Sequence, residues 1–88
     1  MLHEKGVPLT YVYLIRSLSH PAHHYVGLTT DIDRRLAAHS QGRSPHTSKH
    51  KPWELVTYLA FSAEAKAKSF ERYLKTGSGR AFARKRLW

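Results

Sequence analysis

Arg35 and His39 stand four residues apart in the stretch YVGLTTDIDRRLAAH, which runs from Tyr25 to His39. In a helix, side chains at that spacing lie one above the other on a single face. A guanidinium offers planar, permanently charged donors suited to an anionic oxygen, and an imidazole can carry a proton near neutrality. Set beside Tyr25 at the end of a short strand, the pair has the makings of a site. The local sequence predicts the elements that would hold it. Tyr25-Val26-Gly27 reads as strand entering a tight Gly-containing turn, and Asp31 stands where an N-cap oxygen accepts an orphan backbone N–H. Ile32 and Leu36 form the apolar stripe of a helix over residues 32–40, with Arg35 and His39 on its border and Arg34 nearly opposite.

Around this stretch the chain alternates clear elements with polar connections. Residues 1–8 read as a loose lead-in ended by Pro8. TYVYLIRS, residues 10–17, is dense in β-branched and aromatic residues, and it is apolar on both faces, as expected of a central strand. LSHPAHH is a loop around Pro21, and residues 25–29 return as an antiparallel partner. Gly42 ends the first helix. Residues 43–52, RSPHTSKHKP, carry Arg43, Lys49 and Lys51 with His46 and His50, a composition that fits a solvated linker or a surface tracking phosphates. WELVTYLAF, residues 53–61, is a third strand. Ser62 is placed to cap a second helix of about thirteen residues, with Ala63, Ala67, Phe70 and Leu74 on its buried face. Gly77 is placed as a left-handed terminator and Ser78 as the cap of a last helix that offers Phe82, Ala83 and Leu87 to the core. The order β-β-α-β-α-α predicts an α+β domain, a small three-stranded antiparallel sheet flanked by helices.

Composition narrows the partner. Fifteen Lys and Arg against six Asp and Glu give a net charge of +9 over 88 residues, an excess that favours a polyanion through counterion release. There is no cysteine, hence no disulfide framework and no thiolate zinc site. No apolar run reaches membrane-span length and the N-terminus lacks an apolar signal core, so the expectation is one cytoplasmic domain over residues 1–88 without a membrane partner. The HPAHH cluster of His20, His23 and His24 reads as solvated loop histidines, since no matching ligand pair accompanies it.

Tyr11-Val12-Tyr13, Tyr25-Val26-Gly27, the Arg34-Arg35 pair of an aspartate-capped helix, and the later GRSPHTSKHKPWELV and FERYLKTGSGRAFARKRL together resemble the GIY-YIG nuclease superfamily. The likeness is to its small single-domain bacterial members and to the N-terminal nuclease domain of the excision-repair incision subunit, and it covers about residues 10–87. It implies that Tyr13 and Tyr25 are the two motif tyrosines, Arg35 the helix arginine and Glu71 the metal-binding glutamate, with His39 at a position where members carry His or Tyr. This chain departs from the pattern with Tyr11 for Gly and Val12 for Ile in the first motif. Leu28 stands where some members have Lys, and the chain contains no Asn.

The resemblance implies a Mg²⁺- or Mn²⁺-dependent endonuclease acting on DNA, branched or nicked, in repair or recombination, with a protein partner supplying specificity. Glu71 alone could serve a cation that keeps several waters. Arg35 would hold phosphate, and Tyr13 is the preferred base, with Tyr25 positioning phosphate or water; the reverse assignment stays open. Arg34, Arg43, Lys49, Lys51, Arg80 and Arg84 are the expected phosphate contacts. Each feature also has a plain structural reading. The tyrosines could be a cross-strand aromatic pair, Glu71 and Lys75 an i,i+4 ion pair, and Arg35 a side chain lying over the stripe. A catalytically idle nucleic-acid-binding module with the same fold is the alternative, and a basic protein-interaction domain is a third.

Overall fold

The computed structural model describes residues 8–88; the expected lead-in, apart from Pro8, lies outside them. Three strands, β1 (Thr10–Ser17), β2 (His24–Thr29) and β3 (Trp53–Phe61), form one sheet in the order β2-β1-β3, with both pairings antiparallel. Helix α1 (Ile32–Ser40) follows β2, while α2 (Glu64–Tyr73) and α3 (Gly77–Arg86) follow β3. This is the α+β architecture and element order expected from the sequence.

Because β1 is central and apolar on both faces, it divides the core in two. Tyr11, Tyr13 and Ile15 point to one side and pack with Ile32, Trp53 and Leu36. Val12 and Leu14 point to the other and meet Ala67, Leu74 and Ala83 of the α2–α3 region. Strand periodicity thus fixes which helix each β1 residue meets. Helix α1 begins as expected: the Asp31 carboxylate accepts from the Arg34 N–H at 3.1 Å. It is closed by Gly42, the one glycine with positive φ (+76°) among the described residues, a conformation that suits glycine.

The second half departs from expectation in three places. Ser62 does not cap α2. The chain needs Ser62 and Ala63 to leave β3, so the helix starts at Glu64 behind an extended Ala63 that makes no side-chain cap bond, and it runs ten residues. Ala63 is therefore exposed and off the buried face. Gly77 is not a left-handed terminator and Ser78 is not a cap, because Thr76 does both jobs. Its hydroxyl donates to the Tyr73 carbonyl at 2.7 Å and accepts from the Gly79 N–H at 3.1 Å, which tethers the end of α2 to the start of α3. Phe82, expected in the core, is 38% exposed and joins Phe70, edge-on, and Tyr73, tilted, in an aromatic rim.

The tight α2–α3 connection gives two neighbouring glycines opposite roles. A Cβ on Gly79 would run into the Tyr73 carbonyl, whereas one on Gly77 meets nothing. Gly79→Ala is expected to destabilise the protein by ~1–3 kcal/mol through overpacking. Gly77→Ala should stabilise it by ~0.4–1 kcal/mol through the unfolded chain. Urea melts at constant m-value test the opposed signs.

Candidate active site

The side chains singled out on α1 meet β1 at the middle of the sheet. Tyr13 stands opposite Gly27 in the β1–β2 ladder. A methyl group on Gly27 would collide with the ring and hydroxyl of Tyr13. Gly27 lies inside β2, which continues to Thr29. This glycine therefore serves close approach of the tyrosine and makes no turn.

The Tyr13 hydroxyl accepts from Nε of Arg35 at 3.3 Å and lies 2.8 Å from Nε2 of His39. The Tyr25 ring, half-buried on β2, sits 6.3 Å from the Tyr13 ring and 5.1 Å from the His39 ring, centroid to centroid. His39 does not remain on the border of the helix stripe: it is wholly buried. The reason lies in residues 43–52, which fold over it. Thr47 places its Oγ1 2.5 Å from His39 Nδ1, and Ser44 accepts from Arg35 Nη2 at 3.4 Å. Both hydroxyl residues are buried. The Trp53 indole N–H fastens this loop by donating to the Thr47 carbonyl at 2.9 Å. Nothing in the polar composition of the loop announced Ser44 or Thr47. The only signal was their place between Gly42 and the strand-opening Trp53.

Burial controls the protonation of this group. It raises the Tyr13 phenol above its ordinary value, against the lowering effect of the Arg35 hydrogen bond. It pushes His39 down to about 4, helped by the adjacent Arg35 charge. At neutral pH the site therefore holds a neutral phenol, a neutral imidazole and a guanidinium.

Glu71, from α2, is close enough for its charge to be felt at Tyr13 but bonds to none of the trio. Its carboxylate pairs with Lys75 at 2.5 Å, and its side chain is 14% exposed. Among the described residues no three His, Asp or Glu side chains gather to enclose a metal. One carboxylate with an exposed edge still fits a cation such as Mg²⁺, which keeps most of its waters and takes the rest of its ligands from substrate phosphate.

Two open depressions adjoin the site. One, of about 440 Å³, is lined by Arg34, Arg35 and Arg43. The other, of about 460 Å³, is lined by Tyr25, Lys75, Arg80, Arg84 and Trp88. Four of the six expected phosphate contacts thus flank the trio. Lys49 and Lys51 line neither depression, and Lys51 lies over Gly42. The HPAHH histidines are exposed but not independent: the His23 ring stacks on His50 at 3.8 Å, with His20 against both.

A tyrosine across from a glycine, bonded to a helix arginine, is the arrangement that the two tyrosine motifs resemble, and the model of the GIY-YIG catalytic domain matches residues 9–85. The chain belongs to the GIY-YIG family. Relatives of this GIY-YIG chain include the structure-specific endonuclease subunit slx1 of Talaromyces marneffei, 35% identical over 74 residues. That match takes in 76% of the chain but 19% of the slx1 subunit, so the chain spans about a fifth of that relative. The UPF0213 protein BH0048 of Halalkalibacterium halodurans is 34% identical over 66 residues, which cover 74% of the chain and 68% of the relative. The solution structure of the UPF0213 protein BH0048 from Bacillus halodurans aligns with a TM-score of 0.52 and 28% identity, over 88% of this chain and 83% of that one.

The lowered His39 value has a consequence for stability. Between about pH 6.5 and 4 the unfolded chain protonates this histidine while the folded site does not, so folding stability falls as the pH drops through that window and the contribution levels off below it. Urea melts at pH 7, 5.5 and 4 should show a steeper acid loss for the natural chain than for His39→Gln. Equal slopes would mean that His39 is not held neutral.

Proposed function

We propose that this chain is a divalent-metal-dependent endonuclease that hydrolyses phosphodiester bonds in DNA. The observation that carries the reading is the buried Tyr13 hydroxyl, bonded at once to a fixed cation and a neutral imidazole. A free phenol is a poor base at neutral pH. Here Tyr13 can take a proton from the attacking water as it passes its own proton to Nε2 of His39. The oxygen so activated bonds to phosphorus, and one P–O ester bond breaks. Arg35, already beside the Tyr13 oxygen, donates to the non-bridging oxygens as their charge grows. Tyr25, at the open edge, positions phosphate or water. Glu71 would hold Mg²⁺ or Mn²⁺, and the cation would supply Lewis-acid stabilisation of the phosphate and the leaving oxygen. Arg34 and Arg43 on one flank, and Arg80 and Arg84 on the other, are suited to the DNA backbone. Lys49 and Lys51, which line neither depression, would reach phosphates farther along the backbone.

The slx1 relative, a structure-specific endonuclease subunit, supports branched DNA as substrate and a partner that supplies specificity. That in turn supports a role in repair or recombination. The basic charge and the flanking cations would equally serve a binding module without catalysis, so the decisive experiment separates cutting from binding. The purified chain is incubated with branched, nicked and plain duplex DNA, with Mg²⁺ or EDTA. Metal-dependent cleavage is expected, falling at least ~10²-fold in Tyr13→Phe and abolished in Glu71→Ala. Doubling Arg80→Gln with Arg84→Gln should weaken DNA binding and lower the slope of log K against log salt by roughly two. Tight binding without cleavage under every condition would leave only the module. Cleavage that survives both EDTA and Tyr13→Phe would refute the mechanism.

A further inference from the structure

The loop that buries His39 does more than cover it. A neutral imidazole has one N–H and one lone pair, and the neighbours of its two nitrogens decide which is which. His39 has an oxygen on each: the Tyr13 hydroxyl at Nε2 and Thr47 Oγ1 at Nδ1. The Tyr13 oxygen already accepts from Arg35 Nε, a group that can only donate. A second donor at Nε2 would leave the buried Tyr13 proton with no acceptor among the described residues. Thr47 Oγ1 likewise has His39 Nδ1 as its one hydrogen-bond partner among the described residues, so only one of the two hydroxyl protons can go to the ring. A phenol is the stronger donor and an aliphatic hydroxyl the better acceptor, so Tyr13 donates to Nε2 and the single ring proton sits on Nδ1, aimed at Thr47.

Thr47 is built to receive it. Its side chain is buried, at 1% residue exposure. Its carbonyl is held by the Trp53 indole, and its backbone N–H donates to the Ser44 carbonyl at 3.1 Å. The same short turn thus offers one hydroxyl to Arg35 and another to His39. We propose that Thr47 is a positioning residue that holds His39 as its Nδ1–H tautomer, so that Nε2 is the atom that receives the Tyr13 proton. While that proton sits on His39, both ring N–H groups stay satisfied, one by the Tyr13 oxygen and one by Thr47 Oγ1. A neutral oxygen here plays the orienting part that a buried carboxylate plays in a hydrolase triad. The consequence for cleavage rests on the nuclease reading above; the tautomer does not.

Two measurements test this. Long-range ¹H–¹⁵N correlation of the imidazole nitrogens, with the His39 signals identified by their loss in His39→Gln, reads the tautomer without substrate or metal. A protonated Nδ1 and a bare Nε2 are expected, with a shift toward Nε2–H in Thr47→Val and a return in Thr47→Ser. Under the cleavage conditions above, Thr47→Val should be slowed ~10–100-fold, the usual scale for losing the partner of a functional histidine, while Thr47→Ser keeps its rate. An Nε2–H signal in the natural chain overturns the proposal. So does a Thr47→Val variant that loses cleavage with its tautomer unchanged, since Thr47 would then be merely structural. If the natural chain cuts no DNA, the nuclease reading fails while the nitrogen signals still decide the tautomer.

Discussion

Burying the hydroxyl of Tyr13 at the centre of the sheet is the constraint from which the site follows. An unpaired buried hydroxyl costs about 1–3 kcal/mol, and this one belongs to a residue that is 2% exposed. Gly27 makes room for it on the neighbouring strand, and Arg35 and His39 satisfy it. Each solution then creates the next demand. Bringing in His39 buries an imidazole, which must stay neutral and needs a partner for its second nitrogen. Thr47 answers that need, and Trp53 fixes Thr47. The chain of satisfied groups runs from the sheet centre through α1 and the loop to the first residue of β3, four sequence-distant pieces held by one polar thread.

The two-sided core explains the division of labour around that thread. Proton-handling side chains share one face of β1 with α1, while α2 and α3 cover the other face and bring Glu71, Lys75, Arg80 and Arg84 from behind. β2 is the edge strand between the two groups, and Tyr25 on it faces both His39 and the depression lined by Arg80 and Arg84. A polyanion laid over this edge would meet cations on both flanks and the Arg35 guanidinium between them. Six of the fifteen Lys and Arg residues, Arg34, Arg35, Arg43, Lys75, Arg80 and Arg84, line the two depressions beside this edge.

Strand and helix periodicity made most of the fold legible. β1 and β3 begin and end where alternating and β-branched residues place them, and α1 fills its expected span with Asp31 and Gly42 at its ends. What the sequence concealed was tertiary satisfaction. Ser62, Thr76 and Ser78 are all competent caps by residue type, and only the packing of α2 against α3 selects Thr76. Phe82 has core chemistry, but the short connection leaves its ring at the rim. Ser44 and Thr47 sit in a stretch so polar that local pattern assigns it to solvent; they are buried because Tyr13, Arg35 and His39 require partners there. Of the five expected site residues, the fold bonds Tyr13, Arg35 and His39 together and sets Tyr25 beside them, while Glu71 stands apart with Lys75.

That ion pair admits both readings of Glu71 at once. As a helix i,i+4 contact with a lysine side chain 54% exposed, it is worth only about 0.3–0.5 kcal/mol, too little to be the reason the fold stands. It does keep a half-sheltered carboxylate neutralised near Tyr13, where an uncompensated negative charge would raise the phenol further. A doubly charged cation brought in with phosphate would offer that carboxylate a far stronger partner than one mobile ammonium. Lys75 already lines the depression that holds Arg80 and Arg84, so a lysine released from Glu71 would stay among the cations on that flank. On the proposed reading, the structural role in the free chain and the metal-holding role with substrate would be successive states of one carboxylate.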